Sequence, residues 1–332
     1  MPEWPLPLLR GWRHPDGTVG IRHHLLVIPS VICAAQAALT MAEGAPGAVA
    51  IEHQHGCSQL GGDAHLTEQV LTGLGTHPNV AGALVVSLGC ETVQGVGLHR
   101  MIVRRGQRAE FVGIQQSGGT GAAVAAGRQA LDRLRDAAAG DPQVAVGWPD
   151  LRVGVEAAWL GIPEPQARVF VEVIDRLLRA GSTVMQAVPT GRPDLERSFQ
   201  DRILGIEGPK ARETSTISYA TPAVDRGVFL MGTPESRIAQ KTGLAAGGAH
   251  IILSPLVGGL PAGCPVAPVV HVGIAPYARA FAADVDVLLD ESPALGAAEA
   301  VLVALTGACR EETALEAMGD FEMAIHRIGP TM

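Results

Sequence analysis

Short, continuous apolar runs alternate with stretches of helical periodicity from Gly20 to Arg128. Leu25–Val31 is the first such run, followed by an alanine-rich helical stretch to Met41. Ala48–Glu52, Gly82–Leu88 and Phe111–Ile114 are the next runs, with helices expected at Leu66–Leu74, Val93–Val103 and Thr120–Ala138. Strands that are apolar throughout, each followed by a helix, predict a parallel sheet covered on both faces, with right-handed crossovers. Gly140–Pro149, rich in Gly and Pro, reads as a boundary. Beyond it the same grammar predicts strands at Arg152–Val155, Thr183–Val188, Val228–Met231, His250–Leu253 and Val269–Val272. Helices are expected near Glu164–Arg179, Ser236–Ala245, Pro293–Leu305 and Glu311–Arg327, while Arg192–Asp225 reads as a long, partly structured excursion. The fold class is therefore α/β, with parallel-sheet strand–helix repeats in two Rossmann-like lobes. An N-terminal extension over residues 1–20 precedes a first lobe at 21–140. A second lobe at 150–332 ends in helices.

Composition narrows the functional classes. Hydrophobic residues make up 47% of the 332 positions and aromatics only 4%, so Ala, Val, Leu and Ile must build the core. No apolar run is long enough to span a bilayer, and no basic-then-apolar leader opens the chain, which predicts a cytoplasmic protein without a membrane partner. The formal net charge is −8 with acidic and basic residues interleaved, so nucleic acid is not an expected partner. Only two cations are lysines, Lys210 and Lys241. Five scattered cysteines do not form a disulfide framework.

In a parallel sheet, ligands collect in the crevice beyond the carboxyl ends of the strands. Four consecutive predicted strands deliver polar and sulfur-bearing residues there. Cys33 closes the first. The second leads into His53-Gln-His-Gly-Cys-Ser-Gln-Leu-Gly-Gly-Asp63, the third into Gly89-Cys90-Glu91, the fourth into Gln115-Gln-Ser-Gly-Gly-Thr120. Imidazole and thiol are ligands for Zn²⁺ or Fe²⁺. The same loop also reads as a polar turn in which Asp63 caps a helix and Cys57 is a small hydrophobe. Glu91 suits either chemistry or stabilisation of a helix start. Gly118, Gly119 and Thr120 present backbone N–H groups suited to a carboxylate or phosphate, without the spacing of a nucleotide motif.

These segments, in this order, resemble the catalytic domain of the altronate/galactarate dehydratase family, which includes sulfolactate sulfo-lyase large subunits. The resemblance is carried by Asp16-Gly-Thr-Val-Gly-Ile-Arg22, Leu26–Cys33, His53–Asp63, His77-Pro-Asn79, Leu84–Glu91 and Ile114–Thr120, covering about residues 11–128. It implies β-elimination from a small hydroxy acid to give a 2-oxo acid. It also implies a divalent metal, usually iron (Fe²⁺, with Zn²⁺, Mn²⁺ or Mg²⁺ as alternatives), and a small β-rich domain fused or supplied as a separate subunit. A homo-oligomer is expected as well.

On that reading His53, Cys57 and Cys90 are the metal ligands, and His53, His55, Glu91 and Gln115 the catalytic set. Arg22, Gln59, Asp63, Gly118, Gly119, Thr120 and Lys210 would bind substrate. The second half departs from the family: where members place Cys-Gly-Gly-Ser-Asp after a Glu, Glu156 is followed by Ala157-Ala-Trp-Leu-Gly161. Trp159, if turned inward, would shorten the pocket. The alternative to an active lyase is a repurposed, non-catalytic subunit of the same fold that pairs with the small β-rich chain.

Overall fold

The computed structural model describes residues 9–203 and 214–329. Two compact units emerge. The first comprises Gly11–Val144 together with the segment from Glu322 onward, and the second is built mainly on Ala145–Phe321.

In the first unit, β1 (Leu9–Arg13) pairs antiparallel with β2 (Val19–Gly20). Next come β3 (His24–Pro29), α1 (Ala35–Ala42), β4 (Ala48–Ala50) and α2 (Gly61–Gly75). They are followed by β5 (Val80–Ser87), α3 (Gly95–Arg104), β6 (Ala109–Gly113), α4 (Thr120–Ala138) and β7 (Gln143–Val146). The central sheet has the order β4-β3-β5-β6 and every pair is parallel. All eight residues of β5 are buried, because helices cover both faces. Leu25, Val27, Leu84 and Val86 form one core with Met41 of α1 and Leu131 and Leu134 of α4. The alternate positions Leu26, Ile28 and Val85 are equally buried, and α2 and α3 pack against β5. A Cβ built on Gly127 of α4 would lie 2.3 Å from Met41 Sδ, so only glycine permits this approach of α1 to α4.

The second unit contains β8 (Arg152–Val155), α5 (Glu164–Arg179), β9 (Thr183–Pro189), α6 (Pro193–Ile203), β10 (Thr214–Ile217) and β11 (Val228–Thr233). It continues with α7 (Arg237–Ala246), β12 (Ile251–Leu256), β13 (Val269–Ile274), β14 (Val287–Leu289), α8 (Ala297–Arg310) and α9 (Ala314–Met318). Its sheet runs β10-β11-β9-β8-β12-β13-β14, again all parallel. The expected excursion at Arg192–Asp225 thus contains α6 and β10.

The helix expected at Glu311–Arg327 is a single short turn. Thr313 and Glu316 form a reciprocal capping box that starts α9, and Gly319, at φ +68°, ends it in the left-handed conformation. The chain then runs extended into the first unit. There Ile325 exchanges hydrogen bonds with the Gln54 side chain, donating its N–H to Oε1 (3.3 Å) and accepting from Nε2 at its carbonyl (2.7 Å). Ile328 and Gly329 donate their N–H groups to the two carboxylate oxygens of Asp63, at 2.7 and 2.9 Å.

Asp63 is buried and serves as an anchor for this strap. Asp63→Ala leaves two amide donors without their acceptor, for an expected loss of about 1–3 kcal/mol. Limited proteolysis should then cut residues 322–329 faster than in the wild type. Equal cutting rates would show that the strap does not depend on Asp63.

Candidate functional site

Chain order makes a switch point between β3 and β5, since the connections leave β3 toward opposite edges of the sheet. Beyond the carboxyl ends of these strands the loops are tied together. Ile32 donates its N–H to His55 O (2.9 Å), and Thr92 Oγ1 donates to Cys57 O (2.5 Å). Glu91 is the keystone. Its Oε1 accepts from Ser30 Oγ (2.9 Å), from Ser87 Oγ and from Gly95 N–H (3.4 Å), and its Oε2 accepts from Gly89 N–H (2.6 Å). Burial works to raise its pKa, but the bonds from Ser87, Gly89 and Ser30 outweigh that and hold it below the usual carboxylate value. A buried carboxylate with this many donors is committed to joining two strand ends.

His53 is committed as well. Its Nε2 donates to Pro29 O (2.9 Å), which leaves Nδ1 to accept the His55 N–H (3.3 Å). Burial pushes its pKa down to about 4, with neighbouring His55 adding to the effect, so the ring is neutral at pH 7. Both ring nitrogens are thus hydrogen-bonded, and among the described residues His53, Cys57 and Cys90 are not grouped with their ligand atoms within 4.8 Å of one another. His55 donates from Nε2 to Ile325 O (3.2 Å), and burial lowers its pKa too. Gln59 is turned inward, donating to Thr67 Oγ1 (2.6 Å) and Asp63 O (3.3 Å). Together with Asp63, it supports the loop from behind.

What the rim presents outward is different. Cys33, Cys57 and Cys90 are all exposed. The Cys57 thiol is within hydrogen-bonding reach of Cys90 and close enough to Cys33 to feel it. Gln115 is exposed, and its side chain lies over Gly89, where a Cβ would come within 2.5 Å of Oε1. Gly118 and Gly119 adopt φ +84° and +122°, and α4 begins with no side chain capping its free N–H groups. Thr120 opens that helix.

Arg22 stands before β3, buried at the amino end of the strand and roughly 16 Å of strand away from the rim. Lys210 lies outside the described residues. At the same amino end, His14, His23 and Asp141 bring ligand atoms within 4.8 Å of one another. Arg108, however, pairs with both oxygens of Asp141, and His14 Nε2 bonds Pro78 O (2.7 Å). A cation already seated on the carboxylate repels a dication, so this group does not fit a metal.

Sequence reasoning missed a second polar cluster, at the switch point between β8 and β12. Arg237 donates to Glu156 Oε2 (3.1 Å), Ser254 Oγ (3.1 Å) and Gly258 O (2.6 Å). Lys241 Nζ donates to Ala262 O (2.5 Å), and Gln240 Oε1 accepts from Ala157 N–H (3.0 Å). His271, pushed down to about 3 by burial and by Lys241 and Arg237, accepts from Ala262 N–H (3.3 Å). Glu156, Gln240, Lys241, Ser254 and His271 are buried and Arg237 is half-buried, and Glu156 Oε1 has no hydrogen-bond partner. The signal available was a Glu closing one strand and Arg237 opening the helix before the next. Trp159 does not turn toward this cluster. Its indole donates to Gln186 Oε1 (3.0 Å) and stacks on Phe170, 5.7 Å between centroids, so it fills the core rather than a pocket. A separate cavity of about 320 Å³ opens near the ends of β9 and β11, lined by Val188, Thr190, Arg192, Leu230 and Gly232.

Two family models match the chain. D-galactarate dehydratase/altronate hydrolase, second domain, covers residues 11–139, and D-galactarate/altronate dehydratase, C-terminal, covers 207–331. The chain belongs to the altronate/galactarate dehydratase family. Among relatives of this family, altronate dehydratase of Bacillus subtilis is 29% identical over 196 residues, covering 54% of this chain and 38% of that protein. Altronate dehydratase of Escherichia coli is 28% identical over 194 residues, with the same coverage. The (2R)-sulfolactate sulfo-lyase subunit beta of Chromohalobacter salexigens is 37% identical over 78 residues, 24% of this chain and 20% of that one. The matched stretch spans about two-fifths of the altronate dehydratases' length. No helix among the described residues is long and apolar enough to cross a membrane.

Proposed function

We propose that this chain is a dehydratase-type lyase that removes water from a small hydroxy acid to give a 2-oxo acid, with a divalent metal, iron above the alternatives, held at the rim of the first unit. The observation that carries the reading is the gathering of exposed thiols, Gln115 and the uncapped start of α4 around one switch point, in a chain of this family. Softness fits the donor set: paired thiols at the rim suit iron or zinc better than Mg²⁺. When bound, such a metal supplies Lewis acidity that polarises the acid's oxygens.

The chain's own residues have separate tasks. The free N–H groups of α4, following Gly118 and Gly119, receive the substrate carboxylate at the positive end of the helix. Gln115 orients a hydroxyl. His55, neutral and with Nδ1 as its acceptor nitrogen, takes the proton from C2 as the C3 hydroxyl leaves, and the enol tautomerises to the 2-oxo acid. Glu91, His53, Gln59 and Asp63 hold these groups in place. A cytoplasmic setting fits five free cysteines, and a small β-rich partner chain and self-association complete the assembly.

The commitment of Glu91, His53 and Asp63 to internal hydrogen bonds favours one competitor, a repurposed subunit that keeps the fold without turnover. Metal-loaded protein incubated with altronate, galactarate and three- and four-carbon hydroxy acids, with 2-oxo products trapped by semicarbazide, separates the two. Product formation that is lost on chelation and in Gln115→Ala supports the lyase. No product from any acid with metal bound supports the repurposed subunit.

A further inference from the structure

The loop that carries His55 is fastened in two ways. Along its backbone, His55 donates its N–H to His53 Nδ1 (3.3 Å) and accepts at its carbonyl from Ile32 N–H (2.9 Å). His53 in turn donates from Nε2 to Pro29 O (2.9 Å), at the end of β3. The far end of the His55 ring meets a different partner. Its Nε2 lies 3.2 Å from Ile325 O, a carbonyl contributed 270 positions later in the chain. A line of hydrogen bonds thus runs from the carboxyl end of β3 through both imidazoles to the strap. The sheet holds the loop backbone, and the strap aims the ring.

The strap itself is clamped. Gln54 grips Ile325 by both of its backbone polar groups, Oε1 accepting the N–H (3.3 Å) and Nε2 donating to the carbonyl (2.7 Å). Ile325 O therefore receives two donors, one for each lone pair. Further along, Asp63 takes the N–H groups of Ile328 (2.7 Å) and Gly329 (2.9 Å). The Ile325 side chain is buried. A carbonyl oxygen can only accept, so the Nε2 that faces it carries the proton, and a neutral ring then keeps Nδ1 as its one acceptor. Among the described residues, no protein group is hydrogen-bonded to that Nδ1.

We infer that the strap, Ile325–Gly329, is what makes His55 a base: Ile325 O fixes the ring proton on Nε2 and leaves Nδ1 free to take up another. Gln54 and Asp63 are positioning residues that hold this carbonyl in place. The positioning stands on these bonds alone; that the proton comes from a hydroxy acid rests on the lyase reading above. In that reaction the C2–H bond breaks and its proton forms Nδ1–H. The electron pair becomes the C2=C3 bond, and the C3 hydroxyl departs with its bonding pair. The departing oxygen takes the Nδ1 proton to become water, which returns the ring to its starting form. While the ring is charged, Ile325 O keeps its bond to Nε2–H, and of the charged groups that bear on it Asp63 favours the cation and Arg327 opposes it.

The test uses the full chain with ¹⁵N-labelled histidines, the His55 ring being assigned by the signal lost in His55→Gln. Expected in the wild type at neutral pH are a protonated Nε2, a bare Nδ1, and a ring N–H proton that exchanges slowly enough to be observed. Gln54→Leu and Asp63→Ala should each broaden that proton away and bring in the Nδ1–H tautomer, while the circular dichroism spectrum stays native. With whichever acid of the panel above the wild type converts, kcat should fall roughly 10–100-fold in both variants with KM little changed, a part of what a positioned base supplies. A wild-type ring that carries its proton on Nδ1 overturns the proposal, and that observation needs no variant. A ring signal unchanged in the Gln54→Leu, Asp63→Ala double variant overturns it too. The two readings fail separately. A ring signal that depends on the strap, in a protein that converts no hydroxy acid, removes the lyase and leaves the positioning. Turnover with kcat unchanged in the double variant removes the strap's role and leaves the lyase.

Discussion

Glu91→Ala should destabilise the first unit by about 3 kcal/mol or more, the sum expected when several buried donors lose one shared acceptor at about 1–3 kcal/mol each. Ser30 and Ser87 belong to neighbouring strand ends, and Gly89 and Gly95 to the turn and helix that follow β5. All four currently converge on one carboxylate. Glu91→Gln keeps the volume but turns one acceptor into a donor facing Ser87 or Gly89, so an intermediate loss is expected. Urea denaturation followed by circular dichroism measures both. A change below about 0.5 kcal/mol in Glu91→Ala, the range of ordinary surface substitutions, would mean that the carboxylate does not join the strands.

Acid should weaken the protein well above the pH at which carboxylates protonate. His53 and His271 have native pKa values pushed down to about 4 and about 3 by burial, from an ordinary 6.5. Above 6.5 both rings are neutral in the folded and unfolded chain, and pH has no leverage on them. As pH falls below 6.5 the unfolded chain takes up protons that the native rings refuse, so stability drops until the native pKa is reached. Each ring then accounts for a loss of about 2 kcal/mol between about pH 7.5 and about pH 5. His53→Gln and His271→Gln should each flatten the pH dependence of the urea midpoint over this window. An unchanged slope in the double variant would assign the acid sensitivity elsewhere.

The strand–helix alternation could be read from the chain because the sheets are buried on both faces. β5 is apolar at nearly every position, and β8 and α5 begin and end at the expected residues, Arg152–Val155 and Glu164–Arg179. The final helix could not be excluded by periodicity. Its early end depends on Gly319, and the extended path beyond depends on Gln54 and Asp63, more than 260 residues earlier in the chain. The rim shows the same division. Which residues reach the strand ends follows from topology, and Cys33, Cys57, Cys90 and Gln115 do face outward. Which of them keep a free lone pair depends on partners in other loops. His53 and Glu91 carry reactive groups, yet their hydrogen bonds leave those groups occupied. The Arg237–Glu156 pair was invisible for a related reason, since the two residues are 81 positions apart.

The strap also sets an order of events during synthesis. Residues 11–144 leave the ribosome long before residues 325–329, yet the His53–Asp63 loop needs both to complete its hydrogen bonds. The early sheet can form at once from its own strands, whose pairings are local. Its thiol-bearing rim then waits, with the Asp63 carboxylate and the Gln54 amide still solvated, until the whole second unit has been made. A nascent chain stalled before Ile325 would carry a formed sheet and an unfinished rim, so this half of the protein matures only after the second unit has been translated.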